Sequence, residues 1–320
     1  MRFNFIKNRF TYYAIAGVLT IVSLAAPFVF PMNLGIDMTG GIQAEFDYPG
    51  TLDLPAVTKT VETAKDVVTI SGKHVVNNVL VYRITGENKF VVEAGFSRLE
   101  GMNDQAFDAA KTKFRDEIAT QLGTSSKATL SRYINVGESF GDYIKKTAYL
   151  TLAMVILFIS LYIAWAFRGS IEGFTSFSFG AVTAVSLFHD VIIAFGFYII
   201  TSHFLPEFKV DTFFITALLT VLGYSINDTI VVMDRIRSNL RLPAAKKQAF
   251  SDLIDNSIND TLTRSIFTSL TVVIVLFALF FFGPQAIKGF TLALIFGTFV
   301  GAYSSVCIAA PLLYDITKKR

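Results

Sequence analysis

The stretch Gly223-Tyr224-Ser225-Ile226-Asn227-Asp228-Thr229-Ile230-Val231-Val232-Met233-Asp234-Arg235-Ile236-Arg237 decides how this chain folds. The residues before it, Phe213 to Leu222, are almost wholly apolar, which places Asn227 and Asp228 inside a membrane helix rather than beside one. An ionisable group at that depth costs about 3 kcal/mol on insertion scales and is by default a functional-site candidate. Asp234, Arg235 and Arg237 then mark the cytoplasmic exit, where basic residues collect.

Composition agrees with that reading. Hydrophobic residues fill 52% of the chain and Phe alone takes 32 of 320 positions, which excludes an ordinary soluble domain. The net charge of +3 is small and unevenly placed, so it describes topology and gives no ground for nucleic-acid binding. The single cysteine, Cys307, lies in an apolar run, so one chain can build neither a disulfide nor a thiolate metal site.

About 20 mainly apolar residues cross a bilayer. Six stretches qualify: 10–30, 147–167, 174–200, 212–233, 265–282 and 287–313. The first follows Arg2, Lys7 and Arg9, is too long for a typical signal-peptide core and lacks a small-x-small exit before Pro31, so it is read as an uncleaved span. With the N-terminus inside, the cytoplasmic segments hold Arg2, Lys7, Arg9, Arg168, Arg235, Arg237, Arg241, Lys246, Lys247, Arg264, Lys318, Lys319 and Arg320. The opposite short loops hold only Lys209 and Lys288. That asymmetry predicts both termini in the cytoplasm and the insert 31–146 on the far side. The expected organisation is therefore a first segment 1–30, an exported domain 31–146, and a five-helix membrane domain 147–313 with a cytoplasmic loop at about 234–264. A basic tail follows at 314–320.

The insert reads as a small α+β domain. Ile42, Ala44 and Phe46 alternate with polar neighbours, as a half-buried strand does. Leu54, Val57, Val61, Ala64 and Val68 fall at helical spacing after the N-cap Asp53. Val75–Ile84 and Phe90–Ala94 are β-rich around the hairpin signal Thr85-Gly86-Glu87-Asn88. Phe107, Ala110, Phe114, Ile118 and Leu122 form a second helical stripe, opened by Asn103 and closed by Gly123, and Leu130–Val136 is a last strand. The order β-α-β-β-α-β is that of a ferredoxin-like unit, standing on two stalks.

Four segments carry more than hydropathy. Gly35-Ile36-Asp37-Met38-Thr39-Gly40-Gly41 and Val136-Gly137-Glu138-Ser139-Phe140-Gly141 are glycine-bearing turns where the stalks meet the membrane. Gly40, Gly41, Gly137 and Gly141 are the candidate hinges. In the third span, Asp190 lies near the middle, a candidate proton carrier or else a structural hydrogen-bonder. His189 points about 100° away from it, which favours a helix-contact role over direct partnership. Asp228 shares a helical face with Tyr224, Val231 and Val232. Asp234 and Arg235 lie two turns further on, and Arg264 enters the fifth span from the same side. These arginines are candidate counter-charges for Asp228 or Asp234, with plain topology anchoring as the other reading. Gly297-Thr298-Phe299-Val300-Gly301 is a small-xxx-small packing stripe.

Taken together, Gly35-Ile36-Asp37-x-x-Gly40-Gly41, His189-Asp190, the stretch 223–237, Asn259-x-Thr261-Leu262-x-Arg264 and Gly301-x-Tyr303-Ser304-Ser305 occur in the order seen in SecF. The chain resembles that branch of the SecD/SecF family of the bacterial Sec export machinery over nearly its whole length. Met38 stands where Phe is usual and Glu138 where Pro is frequent. The resemblance implies the six-span fold of the resistance-nodulation-division superfamily and a partner, SecD. It also implies association with the SecYEG channel, often with YajC, and use of the proton gradient to draw exported polypeptide outward in the cytoplasmic (inner) membrane. It implies no cofactor, metal or catalytic residue, and no enzyme activity. The competing readings are a passive scaffold, a small-molecule efflux pump, and an intramembrane aspartyl protease built on Asp190 and Asp228. The protease's Gly-x-Gly-Asp signature is absent.

Overall fold

The structure, a computed structural model, describes residues 3–70, 73–84, 86–99, 101–168, 176–205, 207–243 and 248–317. It divides into a helical unit (1–33, 149–208, 213–320) and a sheet unit (34–148, 209–212). The start of the third predicted span, Thr85 of the hairpin, Lys246, Lys247 and the basic tail 318–320 lie outside the described residues.

In the sheet unit, Gly35 leads into the single helical turn α2 (Ile36–Thr39), which ends at Gly40. The φ of Gly40 is 73° and that of Gly41 is 143°, backbone that side-chain-bearing residues avoid. β1 (Gly41–Asp47) follows, then α3 (Leu54–Val67), whose first turn is capped by Asp53 accepting from Ala56 N at 3.3 Å. A two-residue ladder, β2 (Thr69–Ile70) with β3 (Lys73–His74), precedes β4 (Val76–Arg83) and β5 (Lys89–Phe96). α4 (Asp104–Ser126) is capped by Asn103, which accepts from Ala106 N at 2.8 Å, and β6 (Thr129–Val136) closes the unit.

The four long strands form an antiparallel sheet in the order β4-β5-β1-β6, the arrangement of a split βαβ unit. α3 and α4 supply Val57, Val61, Ala64, Phe107, Phe114, Ile118 and Leu122 to a core completed by Ile42, Phe46, Phe90 and Val92. One boundary differs from expectation. Gly123 lies inside α4, which stops four residues later at Lys127 in the left-handed conformation (φ 53°). Leu122 is fully buried and holds that last turn against the core, so the glycine does not end the helix.

The sheet unit also takes in residues 209–212, giving the domain a chain connection beyond the two stalks expected from sequence. Leu34 bridges Val210, and Gly35 N donates to Val210 O at 2.9 Å. Asp37 accepts from the backbone N of Thr212 at 2.6 Å and from its hydroxyl. A carboxylate on the first N–H of a helix satisfies a donor that the helix cannot, and its charge suits the helix dipole.

The helical unit holds six helices long and apolar enough to cross a membrane among the described residues. They are α1 (Arg9–Val29), α5 (Glu138–Ala166), α6 (Ser176–Phe204), α7 (Thr212–Leu240), α8 (Phe250–Phe282) and the compound last span. That span runs through a 3₁₀ turn (Gln285–Ile287), α9 (Lys288–Ser304), a single π turn (Ser305–Ala309) and α10 (Ala310–Thr317). The loop expected at about 234–264 is largely helix. α7 continues to Leu240 and α8 begins at Phe250, because Leu253, Ile254, Ser257, Ile258 and Thr261 recur at helical spacing and are buried. Large apolar side chains stay exposed on α1, α5 and α8, among them Phe28, Leu161, Trp165, Ile274 and Phe282. Outward apolar faces are what a lipid surround requires.

Close helix approaches occur at small residues, as expected where lipid removes the hydrophobic drive for association. Gly297 and Gly301 of α9 pack against Val221 and Ser225 of α7; a Cβ on Gly301 would sit 2.9 Å from that of Ser225. Gly297→Leu should therefore destabilise the purified protein by about 2 kcal/mol or more through overpacking. Gly17→Leu, with nothing within 4 Å, should leave the melting temperature in detergent unchanged. Equal melting temperatures for the two variants would contradict this packing.

One end of the helical unit is tied together by polar contacts. Asn259 accepts from Phe3 N at 3.0 Å and donates to Phe3 O at 2.9 Å, and Asp255 accepts from Ile6 N at 3.0 Å. Arg9 pairs with Asp315 at 2.9 Å, which also accepts from Tyr13 OH at 3.1 Å.

Candidate functional site

α6 carries Asp190 midway along its length, 0% exposed. Ser225 of α7 donates to its Oδ2, and Ser304 of α9 donates to the same oxygen at 2.8 Å. Its Oδ1 meets His189 Nδ1 at 2.8 Å. His189 makes the helix contact expected of it, its Nε2 meeting Tyr303 OH of α9 at 3.1 Å. The two rings pack edge to face at 5.7 Å. Contrary to expectation, the His189 ring also folds back onto the neighbouring carboxylate as a direct partner. An i,i+1 pair is too far apart around the helix for its Cβ atoms to face each other, but a His ring is long enough to swing back across that angle.

This cradle suits both protonation states of the acid. An ionised carboxylate is an acceptor only, and three donors converge on it. When Oδ1 takes a proton it can donate to His189 Nδ1, while Oδ2 still accepts from both serines. Ser304 also has the acceptor Gly301 O at 3.2 Å. Among the described residues no Lys or Arg pairs with Asp190.

Asp228 sits three residues beyond Ser225, turned to a different neighbour, and is 2% exposed. Ser269 of α8 donates to its Oδ2 at 3.1 Å and Thr268 to its Oδ1 at 3.4 Å. α7 thus presents Ser225 to α6 and α9, and Asp228 to α8. The two buried acids share no hydrogen-bond partner.

The other expected site residues lie elsewhere. Asn227 is exposed on the bundle surface, as is Asp234, and neither reaches Asp190 or Asp228. Arg235 pairs with Asp260 of α8 at 2.7 Å, not with Asp228 or Asp234. Arg264 is exposed and makes no ion pair with Asp228 within 4 Å, but its charge acts on that carboxylate through space, as a counter-charge would. Long basic side chains at a helix end reach more stable surroundings by extending to the boundary than by turning inward.

The candidate hinge glycines belong to the sheet unit. A Cβ on Gly40 would lie 2.8 Å from Glu138 Cα, and one on Gly141 would lie 2.5 Å from Met38 O. Gly41 abuts the carbonyl of Ala94, while Gly137 is open, with only Ser139 Oγ at 4.0 Å. The two stalk segments therefore pass backbone against backbone.

A second polar cluster, not anticipated from sequence, lies in the sheet unit. Glu93 of β5 accepts from Tyr82 OH at 2.7 Å and from Gln43 at 3.2 Å, and pairs with Lys209. Lys209 also sits 4.7 Å over the Tyr82 ring. Burial holds the Lys209 ammonium below the ordinary lysine range, with Glu93 opposing that shift. Alternation gave no signal for it, because Glu93 lies beside Gln43 on the face of the sheet opposite Phe90, Val92 and Ala94, where a carboxylate reads as an ordinary outward residue.

The family described as "Protein export membrane protein SecD/SecF, C-terminal" matches residues 116–319. The chain is 31% identical to the protein translocase subunit SecF of Endomicrobium trichonymphae, over 98% of this chain and 90% of that one. To SecF of Calditerrivibrio nitroreducens it is also 31% identical, over 99% and 95%. The fused SecDF of Thermus thermophilus matches at 31% over 100% of this chain but 39% of its own length. The crystal structure of that bacterium's SecDF, described as a translocon-associated membrane protein, superposes with a TM-score of 0.77 at 28% identity. It too covers the whole of this chain and 39% of the longer one.

Proposed function

Because the chain belongs to the SecD/SecF family of protein-export membrane proteins, we propose that it acts with a SecD protein to assist export of polypeptides, using the proton gradient to move its sheet domain. The observation that carries the coupling is the pair of buried intramembrane acids, Asp190 and Asp228. Each is held by hydroxyls and by no Lys or Arg within ion-pair distance among the described residues. Carboxylates so placed carry protons more often than they serve as bridges. Partnership with SecD is supported by the fused SecDF, one part of which aligns with this whole chain. Association with a SecYEG channel draws support from the translocon-associated description of the solved SecDF; YajC enters only through the family resemblance. No enzymatic step, cofactor or metal is invoked. The protease reading loses ground because its two acids would have to share a site, and these have no hydrogen-bond partner in common.

The reading is tested by comparing translocation in vesicles carrying this chain and its SecD, with and without an imposed proton gradient. Export that responds equally to both conditions would favour a passive scaffold.

The orientation follows from the Lys and Arg distribution, with both termini cytoplasmic and the sheet domain outside. In a Cys307→Ser background, cysteines at Lys89 and Ser238 should label from opposite faces of the cytoplasmic membrane. Labelling of both by an impermeant reagent in intact cells would overturn it.

A further inference from the structure

We propose that His189 and Tyr303 form the route by which Asp190 exchanges its proton, with Tyr303 as the outer station; this rests on the proton-coupled reading above. The exposure of the three groups rises in order. Asp190 is 0% exposed, His189 8%, and Tyr303 only partly buried. Asp190 is therefore sealed inside the helical unit, and hydrogen bonds of 2.8 and 3.1 Å connect it through the imidazole to the phenol, the one group of the three that reaches the surface of that unit. The opposite face of the carboxylate leads nowhere comparable, since Ser225 and Ser304 are themselves fully buried. The groups that face this chain of bonds are those two serines, with Cys307 beyond Tyr303. Among the described residues no Lys or Arg hydrogen-bonds to any of the three, so no fixed cation competes for the proton.

Helix geometry gives the arrangement its specificity. Consecutive residues of α6, His189 and Asp190, meet consecutive residues of α9, Tyr303 and Ser304. The π turn begins at the next residue, Ser305. Such one-turn widenings concentrate at functional sites.

The step balances without any further reagent than water. With Asp190 ionised, His189 carries its proton on Nδ1 and accepts from Tyr303 OH at Nε2. A water-borne proton binds the phenol oxygen as the phenol proton passes to Nε2, and the Nδ1 proton passes to Asp190 Oδ1. One proton has entered, the carboxyl is neutral, and the imidazole has changed tautomer; release runs the same transfers backward.

The test uses the full chain in lipid nanodiscs, following the infrared carboxyl band that Asp190→Asn removes. After transfer to heavy water, the rate at which that band shifts reports proton exchange at Asp190. Tyr303→Phe keeps the ring and its packing on His189 but removes the hydroxyl. It should slow exchange on the order of a hundredfold, as loss of a positioned proton-transfer group does. His189→Gln should do the same, and the amide bands in the same spectra verify that each variant is folded. Unchanged exchange in both folded variants would overturn the route. Slowed exchange together with gradient-independent export would keep the route and discard the motive-force reading. Normal exchange with gradient-dependent export would discard the route alone.

Discussion

Asp190→Asn is expected to reduce gradient-stimulated export to the level seen without a gradient, while the protein stays folded and still binds its SecD. Asparagine has the size of aspartate, and its carbonyl oxygen can accept from Ser225 and Ser304 as Oδ2 does. What it lacks is titration. One elementary charge crossing the membrane is worth about 2.3 kcal/mol per 100 mV, which biases a two-state element by well over tenfold. Removing the only titratable carboxyl of this cradle forfeits whatever share of that energy passes through it. The measurement is translocation of a purified export substrate into vesicles, at several pH values, with and without the gradient. A variant as fast as the wild type across that range would show Asp190 to be a structural bridge. Asp228→Asn, assayed alongside, tells whether the second acid works in the same path, since the two are held by different helices.

Lys209→Ala is expected to be the most damaging single change in the sheet domain. It leaves the Glu93 carboxylate buried, with Tyr82 and Gln43 as its remaining donors and no counter-charge. Breaking one half of a buried pair costs about 3 kcal/mol or more, whereas replacing both halves by apolar groups of similar volume is often neutral. Amide exchange in β5 and β1 of the full chain should accelerate on the order of a hundredfold in Lys209→Ala. It should return close to wild type in the double variant Lys209→Met with Glu93→Leu. Unchanged protection in the single variant would mean that the ion pair does not hold the 209–212 segment to the sheet. The consequence reaches further than the domain, because residue 212 begins α7, the helix that carries both Ser225 and Asp228.

Much of this could be read from the chain because membranes and sheets impose simple periods. Six apolar runs became six helices. The alternation at Ile42, Ala44 and Phe46 became the central strand β1, and the stripe from Phe107 to Leu122 became the buried face of α4. Asp190 and Asp228 stood out because a carboxylate in an apolar run has no bland explanation at the level of composition. The reach of α7 and α8 past the apolar runs was less visible. A hydropathy window stops where charge begins, while the helix continues for as long as one face stays buried.

Tertiary structure alone decided what surrounds the acids. Ser225, Ser269 and Ser304 are unremarkable in a membrane helix, where a hydroxyl can satisfy itself on the preceding turn. Only the packing of Gly301 against Ser225 brings α7 and α9 close enough to aim two of those hydroxyls at one oxygen. Helical angle points the Cβ of His189 away from Asp190, but it leaves the direction of a flexible ring open, and packing turns that ring onto the carboxylate. Arg235 likewise had the right charge and found another partner, Asp260. The sequence by itself determined the six spans, the α+β insert and the two intramembrane acids, because each follows from local period and the cost of burying charge. The partners of those acids, and the Lys209–Glu93 pair that joins residues 116 positions apart, exist only once distant segments pack.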